Sequence, residues 1–134
     1  MTSQERLFRS RETEPLLILI VDDEEPIAEM LEAFVTDLGY RALVARNGRQ
    51  ALMQARERWP ALVLTDLMMP VLSGAELIEA LQAEAAARRR ASPSIVLLTA
   101  GSARAVSHLH VDAILSKPFD LGKLEQVLHQ LLGP

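Results

Sequence analysis

Five side chains in this sequence are of types that handle a divalent cation or a phosphate, and each stands where an apolar run ends. Asp22 and Asp23 follow LLILIV (16–21) and open the acidic run DDEE. Asp66 closes ALVLTD (61–66), Thr99 closes SIVLLT (94–99), and Lys117 follows AILS (113–116) and precedes Pro118. Carboxylates hold hard cations, a hydroxyl donates to an anionic oxygen, and an ammonium is a compact point charge for phosphate. Taken singly, each has a plain role. An Asp after a strand caps the next helix, a Thr merely ends its strand, a Lys marks where the chain surfaces, and an acidic run is solvated. Taken together, they need a cation. Two carboxylates about 4 Å apart repel by ~4 kcal/mol at an effective dielectric of about 20. Lys117 supplies one positive charge and a divalent ion two. An all-oxygen donor set without His or Cys suits Mg²⁺ or Mn²⁺ rather than zinc.

Whether the five meet depends on the elements that carry them. The run at 16–21 is continuously apolar, as a strand covered on both faces must be. Pro26 then suits a first helical turn, and Ile27, Met30, Leu31, Phe34, Val35 and Leu38 form an apolar stripe that Gly39 ends. The cycle repeats with a strand at 42–45, the Asn47-Gly48 turn, a helix over 49–58, a strand at 61–66, and a helix over 75–90 ending in Arg88, Arg89 and Arg90. A strand at 94–99, a weakly helical stretch, a strand at 113–116 and a helix over 121–132 complete the chain. The arginine run is expected to be a solvated helix end favoured by the macrodipole. Five strands alternating with helical segments imply right-handed crossovers, a mainly parallel sheet and helices on both faces. Such sheets bind ligands beyond the carboxyl ends of their strands. All five candidate residues fall at that edge; the second strand, ending in Arg46-Asn47-Gly48, brings no carboxylate.

The chain has 134 residues, room for one domain with one ordinary core. It contains 49% hydrophobic and 24% charged residues, has a net charge of −4 and lacks cysteine. Disulfides, thiolate metal sites and cysteine nucleophiles are therefore excluded, and the charge offers no general attraction to nucleic acid or anionic membrane. No apolar run approaches the roughly 20 residues of a membrane span, and residues 1–14 lack the apolar stretch of a signal peptide. A flexible tail over 1–14, a domain over 15–134 and a cytoplasmic location are expected. His108, His110 and His129 are scattered and suggest no metal site.

The pieces IVDDEEPI (20–27), LVLTDLMMPVLSG (62–74), IVLLTA (95–100) and LSKPF (115–119) occur in the order and spacing of the CheY-like receiver domains of two-component response regulators, which residues 16–132 resemble. The resemblance implies a flavodoxin-like, doubly wound five-stranded parallel sheet in the order 2-1-3-4-5. It implies that Asp66 is the phosphoacceptor, taking a phosphoryl group from a histidine of a sensor histidine kinase or a histidine phosphotransfer protein. Asp22, Asp23, Asp66 and the backbone carbonyl of Met68 would hold Mg²⁺, or Mn²⁺. Lys117 and Thr99 would contact the phosphoryl oxygens, with a cis peptide before Pro118 aiming Lys117 inward. Small Ala100 would leave room for Thr99 to move, and Gly74 would let the third helix start close to the site. The output would be altered binding of a downstream protein or phosphorelay. No conventional enzyme activity is implied beyond slow self-phosphorylation and self-dephosphorylation, and no direct contact with nucleic acid or membrane.

Two features depart from the pattern. Ile114 stands where many receivers carry Tyr or Phe, and 17 residues between Thr99 and Lys117 leave little space for a full helix, which is expected to be short or irregular. The chemistry looks complete and the output surface altered. The chain would be a stand-alone receiver or one cut from a larger protein. A haloacid-dehalogenase-type enzyme would need an acid two residues after Asp66, where Met68 stands. A flavin carrier would need a hydroxyl- and glycine-rich loop in place of DDEEP. The remaining alternative is a pseudo-receiver that binds partners without phosphorylation.

Overall fold

The computed structural model describes residues 15–69, 71–100 and 110–133. The expected tail over 1–14 and the expected short helix between the last two strands lie outside them. The strands are β1 (Leu17–Val21), β2 (Arg41–Ala45), β3 (Leu62–Asp66), β4 (Ser94–Thr99) and β5 (Ala113–Ser116). The helices are α1 (Glu25–Asp37), α2 (Gly48–Glu57), α3 (Gly74–Ala87) and α4 (Leu121–Leu132). All strand pairs are parallel, in the order β2-β1-β3-β4-β5. This is the doubly wound, flavodoxin-like arrangement expected.

The continuous apolar runs are explained by burial on both faces. Along β1, Leu19 and Val21 enter one core with Ala51, Ala55, Leu77, Ile78 and Leu81 of α2 and α3. Ile18 and Ile20, alternating with them, enter a second core with Leu31, Val35, Leu124 and Leu128 of α1 and α4. Successive strand side chains point to opposite faces, so a strand sandwiched between helix layers has no polar positions to spare.

Two details differ from the sequence expectation. Met30, placed on the inward stripe of α1, is exposed. At 3.6 residues per turn it lies roughly 130° around the helix from the line of Ala28, Leu31 and Val35, the fully buried residues of α1. The arginines are exposed as expected, but they lie past the end of α3 at Ala87 and not in its last turn. Arg88 pairs with Glu84 one turn back, and the Arg90 guanidinium lies 4.8 Å from the centroid of the Trp59 ring. Trp59 in turn donates its indole N–H to the Ala91 carbonyl at 3.0 Å, so the end of α3 is tied to the α2–β3 connection.

Candidate functional site

Sheet register brings the candidate residues to one level. Val21 pairs with Thr65, so Asp22 and Asp66 leave adjacent strands side by side. Asp66 pairs with Leu98, which puts Thr99 one step further along β4, and Thr99 pairs with Ser116, the residue before Lys117. The Lys117 amide donates to the Thr99 carbonyl at 2.8 Å, extending the ladder to the lysine itself. The Lys117–Pro118 peptide is cis, as expected. Asp22, Asp66 and Thr99 are buried. Asp66, Thr99, Lys117, Asp23, Glu24, Leu67, Met68 and Ala100 line a cleft of about 460 Å³.

Within it, the Lys117 ammonium lies 3.4 Å from Asp22 Oδ2 and 3.3 Å from Asp66 Oδ2. Asp22 Oδ1 accepts from the Glu24 amide at 2.9 Å, and Asp66 Oδ1 accepts from the Met68 amide at 3.3 Å. Each buried carboxylate is thus held from both ends, by the lysine and by the backbone just downstream. Burial pushes the Asp22 carboxyl above its ordinary value of 3.8; the Glu24 amide and the Lys117 charge pull it back, while Asp66 adds to the rise. Burial alone would lower the pKa of Lys117, but the charges of Asp22 and then Asp66 more than offset this and hold it above 10.5.

Carboxylate oxygens of Asp22, Asp23, Glu24 and Asp66 all lie within 4.8 Å of one another. Glu24 was not singled out in the sequence, because an acidic run does not reveal which of its members turn inward. It sits at the N-cap of α1, yet its side chain makes no capping hydrogen bond. Four oxygen donors against one ammonium leave an excess of negative charge, and with no soft ligand among them the donor set fits a hard divalent cation. Met68 is 76% exposed and is one of the residues lining the cleft, and its amide reaches Asp66. Gly74 packs so tightly under the site that a Cβ there would collide with the Asp66 carbonyl oxygen. Ile114 lies at the edge of the sheet, 46% exposed.

The chain is similar to known proteins. The response regulator Rre1 of Synechocystis is 36% identical over 125 residues, spanning 90% of this chain and 53% of that protein. Ycf27 of Pyropia yezoensis, described as a probable transcriptional regulator, is 34% identical over 86% of this chain and 46% of its own length. The chain therefore spans about half the length of these curated relatives. Among solved structures, the receiver domain of the sensor histidine kinase PA1611 from Pseudomonas aeruginosa superposes with a TM-score of 0.78 at 27% identity, covering 90% of this chain and all of that one. It carries a magnesium ion coordinated in its active-site cleft. Residues 18–129 match the response regulator receiver domain family, and with this sheet order and strand-end cleft the chain belongs to that family.

Proposed function

We propose that residues 15–134 form a phosphoacceptor receiver in which Asp66 takes a phosphoryl group from a phosphohistidine of a sensor histidine kinase or a histidine phosphotransfer protein. The observation that carries this is the meeting of Asp22, Asp66 and Lys117 at one strand edge, with the ammonium 3.4 and 3.3 Å from the two carboxylates. An Asp66 carboxylate oxygen attacks phosphorus, the bond from phosphorus to the imidazole nitrogen breaks, and the imidazole leaves to recover a proton from solvent. A carboxylate is a weak nucleophile, so the site works by alignment and charge neutralisation. The Met68 amide orients Asp66. Lys117 moves from carboxylate to phosphoryl oxygen as charge transfers to the new group, and the Thr99 hydroxyl donates to another oxygen. Asp22, Asp23, Asp66 and the Met68 carbonyl are the residues that would hold Mg²⁺ or Mn²⁺, and such an ion would supply charge neutralisation for the transfer.

The phosphorylated form would then signal through a changed affinity for a downstream protein, or pass its phosphoryl group on. The expectation that the whole protein avoids nucleic acid loses its support. Relatives are named as transcriptional regulators, and this chain spans about half their length. No helix of the described residues is long and apolar enough to cross a membrane.

Incubation with Mg²⁺ and acetyl phosphate or phosphoramidate, followed by intact-mass measurement, tests the proposal. A single phosphoryl adduct is expected in the wild type and none in Asp66→Asn. Absence of both adduct and Mg²⁺ binding in the wild type would favour the pseudo-receiver instead.

A further inference from the structure

We propose that Gly48, on a strand-to-helix turn that brings none of the described cleft-lining residues, is a positioning residue for the metal site. The inference rests on the metal-site reading above. Gly48 is buried and opens α2 without a positive φ, so its backbone conformation does not call for glycine. Alanine would be the better helix former there. What calls for glycine is space: a Cβ at this position would lie 2.5 Å from the Leu72 carbonyl oxygen, 2.8 Å from Leu72 Cβ and 3.0 Å from Leu72 Cδ2. The connection from β3 to α3, which carries Met68, passes directly over the first turn of α2.

A Cβ at Gly48 must displace one of the two partners, and α2 is the more firmly held. Asn47 Oδ1 accepts from the Gln50 amide at 2.8 Å, and Gln50 Oε1 accepts from the Arg46 amide at 2.6 Å, locking the turn reciprocally. Gln54 Nε2 donates to the Val44 carbonyl and ties the helix to β2. The β3–α3 connection is held at its ends, by Leu67 donating to Leu98 and Gly74 donating to Leu67. Between them, Val71 is in the left-handed region at φ 71, which a β-branched residue adopts only under constraint. Leu72 anchors this segment by packing against the core of α2 and α3. Lifting Leu72 would therefore be transmitted along the segment to Met68, whose amide holds Asp66 Oδ1 and whose carbonyl is the proposed ligand.

The test is calorimetric titration with Mg²⁺ of the full chain, alongside thermal melts without metal. Gly48→Ala is expected to fold cooperatively and bind Mg²⁺ about tenfold more weakly, in the range typical for residues that orient metal ligands. Phosphorylation from acetyl phosphate should slow at limiting Mg²⁺ and return to the wild-type rate at saturation, a split that general loss of structure would not produce. An affinity of Gly48→Ala within twofold of wild type, or a phosphorylation rate that stays reduced at saturating Mg²⁺, overturns the proposal. If Gly48→Ala does not fold, Leu72→Gly alone, which leaves the α2 turn intact and removes the anchor, should weaken Mg²⁺ binding; unchanged affinity overturns the proposal. A wild-type chain that binds no Mg²⁺ would instead remove the metal-site reading, and the proposal with it.

Discussion

Asp22 has no exposed surface and shares its lysine with Asp66, so its charge is tolerated rather than favoured. Its raised pKa means that the folded chain binds this proton more tightly than the unfolded chain does. Without metal, the ionised carboxylate therefore costs stability above the raised value, and the cost fades as pH falls through it toward 3.8. Asp22→Asn, which keeps the oxygen that accepts from Glu24 but can carry no charge, should melt at a higher temperature than wild type at pH 7 in metal-free buffer. The difference should shrink as the pH is lowered through that window. Thermal melts across pH check this, and a wild type that melts higher throughout would contradict the balance of burial and charge assigned to Asp22. Lys117 is the counterpart, a group whose positive form is held by the same two carboxylates. The sequence named both residues. It did not show that the lysine divides itself between two acids, nor that Glu24 joins the cluster.

The elements around the cleft are set by local signals of unequal visibility. Ser73-Gly74-Ala75-Glu76 has the spacing of a capping box, and both halves of that box form: the Glu76 amide donates to Ser73 Oγ, and Glu76 Oε1 accepts from the Ser73 amide, each at 3.2 Å. This fixes where α3 begins, one residue earlier than the apolar periodicity indicates. Ser73→Ala should lower stability by about 1 kcal/mol, measured by urea unfolding, with the Mg²⁺-saturated phosphorylation rate little changed. The arginines at the far end of α3 show the opposite case. Their clustering suggested only a solvated terminus, because contacts to Glu84 and Trp59 depend on which way the chain turns after the helix.

At the scale of the molecule, one sheet separates two cores, and the central strands contribute to both. Leu64, fully buried on β3 in the core shared with α1 and α4, should cost roughly 2–5 kcal/mol when truncated to Ala. That is a large share of the about 5–15 kcal/mol a domain of this kind has available. Chemical denaturation reads the loss directly.

The residues by themselves determined the alternation of strands and helices, the burial of the central strands on both faces, and the placing of Asp22, Asp23, Asp66, Thr99 and Lys117 at strand ends. These follow from periodicity and chain order, which are local. Only the tertiary structure decided that Lys117, 95 positions from Asp22, reaches it at 3.4 Å, because that distance depends on strand order and register. It alone showed Glu24 turned toward the aspartates, Met30 turned to solvent, and Gly48 pressed against Leu72. Each of these depends on which face of an element meets which neighbour, a choice made when the sheet and its helices pack together.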